Sequence, residues 1–282
     1  MRVSPRSTRL DALQRKQDAA FRLGARAPVS APRAAEDFLA KVGIALRYGA
    51  TKGLPLASLY QAFAGTDPDK AALARGITLT NRLLGEAHGI EVHVIAGRVT
   101  LVHRSLMPPL YTLVRRGRAL DDLDGLSVHA RTALALLRER KEVTAGDVRQ
   151  RLALRADPRR DPAYSALGEL TRLLLVDRGP FQVPKAGIPY LSTEGYPYHL
   201  LDEVHPEIVR AARHSVDAAA DGLLEAYING AVFVRVRKLA TLFRFLSSGE
   251  IDAALGRLGA RGDVALAGTG RDVVAIGTEG RE

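Results

Sequence analysis

A chain of 282 residues with 46% hydrophobic and 26% charged residues can supply two or three small domains, each with its own core. The opening Met-Arg-Val-Ser-Pro-Arg-Ser lacks the apolar segment of a secretory signal, no apolar run approaches a membrane span, and the absence of cysteine excludes disulfides and thiolate metal sites. A net charge of +10 points to polyanions, nucleic acid before an anionic membrane surface, although an arginine-rich composition alone produces the same excess.

Residues 1–33 hold Arg2, Arg6, Arg9, Arg15, Lys16, Arg22, Arg26 and Arg33 against only Asp11 and Asp18. Leu10, Leu13, Ala20 and Phe21 support a helix, which Pro28 and Pro32 close. As a basic arm this segment would follow a phosphate backbone; as an ordinary terminus it would carry solvated charge.

A first unit spans 34–118. Ala35, Phe38, Leu39, Val42 and Leu46 mark a helix ended by Gly49 and Gly53, and Leu56, Leu59, Tyr60 and Phe63 mark a short second one. In a third helix, Leu73, Ile77, Thr80 and Leu84 form a narrow seam, with Arg75, Thr78 and Arg82 opposite and Asn81 at the margin. Gly76 and Gly85 predict a kink or an early end. A helix that docks by such a seam and presents Arg, Asn and Thr can reach base edges or phosphates; a plain surface helix with two arginines has the same pattern. Glu91–Val102 reads as a hairpin with Val92, Val94, Val99 and Leu101 on one face, His93 opposite Thr100 or Val102, and Arg98 at the tip beside a sugar-phosphate backbone. His93 and His103 do not form a metal pair. Met107-Pro108-Pro109, the basic Arg115–Arg118 and the acidic Asp121–Asp124 read as a linker whose charges pair.

A second unit spans 119–204. Ala130, Ala133, Leu134 and Leu137 give Ser127–Arg140 one apolar face, Thr144 and Asp147 signal a short helix burying Val148 and Leu152, and a Pro-broken turn carries Arg155, Arg159 and Arg160. Ala163, Leu167, Leu170 and Leu174 form the inner side of a third helix, with Ser165, Gly168, Glu169 and Arg172 outward. An apolar run, Leu173–Val176, then an Arg178-Gly179-Pro180 turn and a strand-like Phe181–Val183 follow. The stretch from Gln182 to His199, with Lys185, Tyr190, Tyr196 and Tyr198 among prolines, is either a platform for an unstacked base or an extended wing whose tyrosines fold back onto the core; the second is favoured.

A third unit spans 205–282. A helical stretch runs from His205-Pro206 through Val209, Ala212 and Val216 to Ile228; Val232–Val236 is a strand. Leu239, Leu242, Phe243 and Leu246 make a helix with Lys238, Thr241 and Arg244 outside. Ser247 and Glu250 form a capping box for a last helix, and Val264–Leu266 and Val273–Ile276 make a hairpin through Gly268-Thr269-Gly270. Those glycines serve a turn and lack the lysine of a phosphate-binding loop. Glu250 and Asp252 would repel phosphates, so this unit is expected to pack on its neighbours, on another protein or on a second copy. Asp217, Asp221 and Glu225 read as a solvated helix face rather than an acid/base pair.

Helix, short helix, turn, helix and hairpin, three times over, is the order of a winged helix-turn-helix. The expected fold is mainly α with small β-hairpins (α+β), as three tandem winged helix-turn-helix domains. That order, and above all Phe233–Asp263 (FVRVRKLATLFRFLSSGEIDAALGRLGARGD), resembles the winged-helix DNA glycosylase family that unhooks crosslinked and alkylated bases, over the last half of the chain. The resemblance implies tandem winged helices around a DNA channel, no metal, and a catalytic Gln-x-Gln or Gln-x-Asp triplet near the start. No such triplet is present: Arg15-Lys16 separates Gln14 from Gln17, and Gln61, Gln150 and Gln182 stand alone. No catalytic residue is therefore assigned.

The leading expectation is a non-enzymatic, sequence-tolerant DNA-binding protein in DNA repair, chromosome maintenance or transcriptional control. It would be cytoplasmic and nucleoid-associated, favouring duplex over single strands, with no cofactor and no membrane partner. A diverged glycosylase and a protein–protein interaction module are the alternatives. The DNA contacts would be Arg75, Thr78, Asn81, Arg82, Arg98, Arg159, Arg160, Arg172, Lys185, Tyr190, Lys238 and Arg244.

Overall fold

One series of elements recurs three times: helix, strand, two helices, two strands. The computed structural model describes residues 5–23, 28–155, 157, 160–182 and 195–281. Helix α1 (Pro5–Ala20) precedes the first series, which comprises α2 (Pro32–Val42), β1 (Ile44–Leu46), β2 (Ala57–Ser58), α3 (Leu59–Ala64), α4 (Lys70–Gly85), β3 (Gly89–Val92) and β4 (Thr100–His103). After α5 (Met107–Arg115) come α6 (Val128–Arg140), β5 (Glu142–Val143), α7 (Ala145–Arg151), α8 (Pro162–Arg172), β6 (Val176–Arg178) and β7 (Tyr198–Leu200). Two short helices, α9 (Leu201–Val204) and α10 (Pro206–Ala211), lead to α11 (Val216–Ala231), β8 (Phe233–Arg235), α12 (Val236–Leu242), α13 (Ser248–Arg261), β9 (Ala265–Ala267), β10 (Val274–Ile276) and α14 (Thr278–Arg281).

The sheets share one topology. Their orders are β1-β4-β3, β5-β7-β6 and β8-β10-β9, so the last strand of each series lies between the other two and antiparallel to both. Strand β2 adds to the free edge of β1 in parallel. Local sequence sets the helix starts. Ser58, Asp69, Ser127, Asp161 and Ser215 each accept a backbone N–H of the following turn, and Thr144–Asp147 and Ser247–Glu250 form full capping boxes. The turn glycines Gly268 and Gly270 take positive φ, 99° and 57°, as the last hairpin requires.

The three series do not have three separate cores. A single core joins the first and third through α11, with Phe63, Leu110, Tyr227 and Phe243 all buried. The helices touch closely here: a β-carbon on Gly230 of α11 would lie 2.5 Å from the Val42 carbonyl oxygen of α2. The second series closes around its own core of Leu137, Leu167 and Tyr198. A small cluster of Leu13 with Val232, Phe233, Val274 and Ile276 holds α1 against the third sheet.

Several expectations are corrected. Met107–Arg115 is no linker but helix α5, with Met107, Leu110 and Leu113 fully buried and its prolines at the first turn, where no intrahelical N–H is lost. The stretch from 206 to 228 is broken at 212–215, where the Ser215 hydroxyl accepts the Ala218 N–H at 3.2 Å and restarts the helix. Helix α12 ends at Leu242, short of Phe243 and Leu246. Phe181 and Gln182 lie outside any strand, and Val183 falls outside the described residues. In the first hairpin Val92 pairs with Thr100 and Glu91 with Leu101, so His93 pairs with neither expected partner. The tip leaves the ladder because Ile95 is buried and the Ala96 N–H donates to Leu242 O at 2.7 Å.

Candidate functional site

Strand β3 carries a glutamate among apolar neighbours, and it is fully enclosed. Glu91 meets two buried arginines from different parts of the chain. Arg47, following β1, donates Nη1 to Glu91 Oε2. Arg178, ending β6, donates Nη2 to the same oxygen at 2.6 Å and sets Nε 2.5 Å from Oε1, while His93 Nε2 lies 3.2 Å from Oε1. Burial pushes the Glu91 carboxyl up, but Arg178, His93 and Arg47 outweigh it and hold the group at about 2. Burial likewise opposes the charge on Arg178, yet Glu91 keeps it well above the ordinary guanidinium value. With both oxygens occupied, Glu91 is a poor proton acceptor. It ties the first series to the second.

Two guanidinium groups against one carboxylate leave this buried cluster with an excess positive charge. Aromatic faces take it up: the Tyr196 ring centre lies 4.2 Å from Arg178 Cζ and 5.0 Å from Arg47 Cζ, and Arg178 Nη1 donates to the Tyr164 hydroxyl at 3.1 Å. Burial raises the pKa of Tyr164 and Tyr196. Phe181 packs edge-on to Tyr196 at 5.3 Å.

Directly in front of Arg47 and Tyr196 is a cavity of about 300 Å3. Tyr48, Tyr60, Leu73, Ile77, Thr80 and Phe181 complete most of its wall. Tyr48, Tyr60 and Ile77 are 52%, 37% and 59% exposed, so half of the six exposed large hydrophobic side chains among the described residues rim this one opening. Among the described residues the wall offers flat rings, tyrosine hydroxyls and one guanidinium, and no carboxylate or carboxamide. It suits binding of a planar group better than acid/base chemistry. No group of three or more His, Asp or Glu comes together to hold a metal among the described residues.

None of the twelve expected DNA contacts lines this cavity. On α4 the docked stripe is Gly76, Leu79, Thr80, Leu83 and Leu84, which keeps Thr80 and Leu84 of the expected seam but not Ile77, which turns outward to the cavity mouth, nor Leu73, which is only half-buried. Arg75 is half-buried with its Nε enclosed and unpartnered, Thr78 is exposed with its hydroxyl on Ala74 O, and Arg82 is exposed and paired with Glu86 at 2.7 Å. Asn81 is half-buried, its Oδ1 accepting the Phe181 N–H at 3.4 Å. Arg98, Arg160, Arg172 and Arg244 are exposed. Gly168, expected outward on α8, is buried, and Glu169 accepts the Ser127 N–H at 2.9 Å. Lys238 is half-buried at a second cavity. Arg159, Lys185 and Tyr190 lie outside the described residues, whereas Tyr198 folds fully into the core. Asp221 is no solvated carboxylate: Arg257 and Arg261 both bond to it, at 2.7 and 3.0 Å.

Sequence reasoning missed Arg47, Glu91 and Arg178. A signal existed: each is a charge within or at the end of an apolar strand segment, and a buried charge requires a partner.

No family model and no curated protein sequence matches this chain. Among solved structures, the DNA glycosylase AlkZ of Streptomyces sahachiroi is similar over 99% of this chain and 71% of that one, with a TM-score of 0.58 and 15% identity. At that identity the likeness is one of fold. The DIP2311 protein from Corynebacterium diphtheriae matches over 95% of this chain and 54% of its own at 17% identity, but its TM-score of 0.22 carries no argument. No helix among the described residues is long and apolar enough to cross a membrane.

Proposed function

We propose that this chain is a DNA-repair protein that receives a modified base, displaced from the duplex, in the Tyr48–Tyr60–Tyr196 cavity. The observation that carries the reading is that cavity: aromatic, backed by a buried cation, and set in a chain whose fold follows a DNA glycosylase along nearly its whole length. In this reading each α-β-α-α-β-β series is a winged helix, and the domains follow the expected boundaries at 34–118, 119–204 and 205–282. The net charge of +10 supplies sequence-independent affinity for duplex phosphates. Displacing a base costs a few kcal/mol, least where the base is already damaged, and stacking on tyrosine faces offsets that cost. Among the described residues the wall has no carboxylate to activate water. Excision would therefore depend on a base that is itself a good leaving group, as an alkylated purine is.

A second reading, sequence-tolerant duplex binding without excision, is favoured by that missing carboxylate. Duplexes with and without an alkylated base separate the two. The repair reading expects preferential binding and release of the altered base, followed by strand cleavage at the abasic site with alkali. It expects Tyr48→Ala and Tyr60→Ala to remove that preference while leaving undamaged-duplex binding intact. Equal affinity for both duplexes with no base released would overturn it and leave the second reading.

A further inference from the structure

The loop after β1 separates two cavities. Arg47 and Tyr48 face the one described above, and Lys52–Leu56 face another of about 510 Å3, bounded by α1 and the β8–α12 corner. The floor of this second cavity is apolar, with Phe21, Leu56 and Phe233 buried. Gln17 closes it by donating Nε2 to the carbonyls of Ala231 and Phe233 at 2.6 and 2.8 Å.

Its rim is cationic. Lys52 rides on a turn in which the Leu54 N–H donates to Thr51 O at 3.0 Å, with Gly53 at φ 76°, the positive value that this turn position demands. Lys238 comes from α12 on the other side, its Nζ 3.8 Å from where a β-carbon on Gly53 would stand. Among the described residues neither lysine has a carboxylate partner, and Arg235 has a 3.6 Å contact with exposed Asp272. Other cations of the chain are paired closely, as with Arg116–Glu250 at 2.8 Å and Arg118–Asp122 at 2.8 Å. Two lysines gathered at one opening without a carboxylate partner among the described residues, beside an arginine held only loosely by Asp272, are arranged for an anion from outside.

We propose that this cavity binds a nucleoside 5′-monophosphate group, either a free nucleotide or the 5′-phosphorylated end of a DNA strand. A phosphomonoester carries a charge of about −1.5 to −2 and three acceptor oxygens, which matches two ammonium groups and a guanidinium better than a carboxylate does. The base and sugar cover the Phe21–Phe233 floor. A cavity of several hundred Å3 is of the size that small-molecule ligands occupy. The site shares no wall residue with the aromatic cavity and stands or falls separately from the repair reading.

Calorimetry on the full chain at low salt tests it, with thymidine 5′-monophosphate, thymidine and inorganic phosphate as probes. Thymidine 5′-monophosphate should bind at least tenfold more tightly than thymidine or phosphate. Lys52→Ala and Lys238→Ala should each weaken it by about threefold to tenfold, the range for solvent-screened charge-assisted contacts, while Lys70→Ala on α4 leaves it unchanged. Matched 5′-phosphorylated and 5′-hydroxyl oligonucleotides then name the source: a preference for the phosphorylated strand assigns a strand end, and no preference assigns the free nucleotide. Equal affinity for thymidine and its monophosphate, no measurable binding, or an unchanged affinity in the double lysine variant would overturn the proposal. Unchanged melting curves for the variants show that folding is not the cause.

Discussion

Replacing Glu91 by Gln removes the one anion that, among the described residues, lies between two buried guanidinium groups, and leaves both charges facing each other. Breaking a buried ion pair by deleting one partner costs about 3–5 kcal/mol, because the remaining charge cannot recover its hydration. An independent route gives a similar figure: depressing the carboxyl from its ordinary 4.5 to about 2 corresponds to about 3 kcal/mol of stability at neutral pH. The sign follows from the direction of the shift. A carboxyl held low in the folded state stabilises above the unfolded value, and that contribution is lost as pH falls from about 4.5 toward 2. Urea denaturation of the parent and Glu91→Gln at pH 7 should differ by about 3–4 kcal/mol, and by pH 3 about 2 kcal/mol of the parent's lead should be gone. Arg47→Met should cost less than Glu91→Gln, since it leaves a neutral Glu91–Arg178 pair instead of two like charges. A Glu91→Gln loss under about 1 kcal/mol, or a lead that does not shrink in acid, would refute the linkage between the first and second series.

On α11, Gly230→Ala drives a β-carbon to 2.5 Å from the Val42 carbonyl oxygen, a backbone atom that cannot swing away, and should cost at least about 1–3 kcal/mol in a denaturant melt. Gly222→Ala on the same helix meets nothing within 4 Å and should stabilise by about 0.5–1 kcal/mol; the same sign at both positions would contradict the α11–α2 crossing. Ser247→Ala should lower stability by about 1 kcal/mol through loss of the α13 capping box, read as a shift in the melting midpoint. Duplex affinity should fall steeply from low to moderate salt, and Arg98→Glu with Arg172→Glu should weaken it more than changes at Arg257 and Arg261, which Asp221 already engages. A flat salt response, or equal effects from both pairs, would count against phosphate binding by the exposed arginines.

The order of elements was written in short-range signals. Thr144–Asp147 and Ser247–Glu250 mark helix starts because a cap is satisfied within four residues, and the spacing of Ala130, Ala133, Leu134 and Leu137 fixes a face by helix geometry alone. Those signals gave the α+β class and the succession of helices and hairpins. They misjudged what depends on neighbours distant in sequence. Ile77 has the right spacing for a docked seam, yet α3 and the second series leave it at a cavity mouth, and Met107–Arg115 reads as a linker until α11 covers it. The candidate site is of the same kind. Arg47, Glu91, Arg178 and Tyr196 are spread over some 150 positions, and each alone is an ordinary charged or aromatic residue. Composition set the basic character of this protein and local periodicity set its elements. Only the packing of one series against another could enclose Glu91 between two arginines, because a buried ion pair is a property of the interface that excludes water and not of any segment that contributes to it.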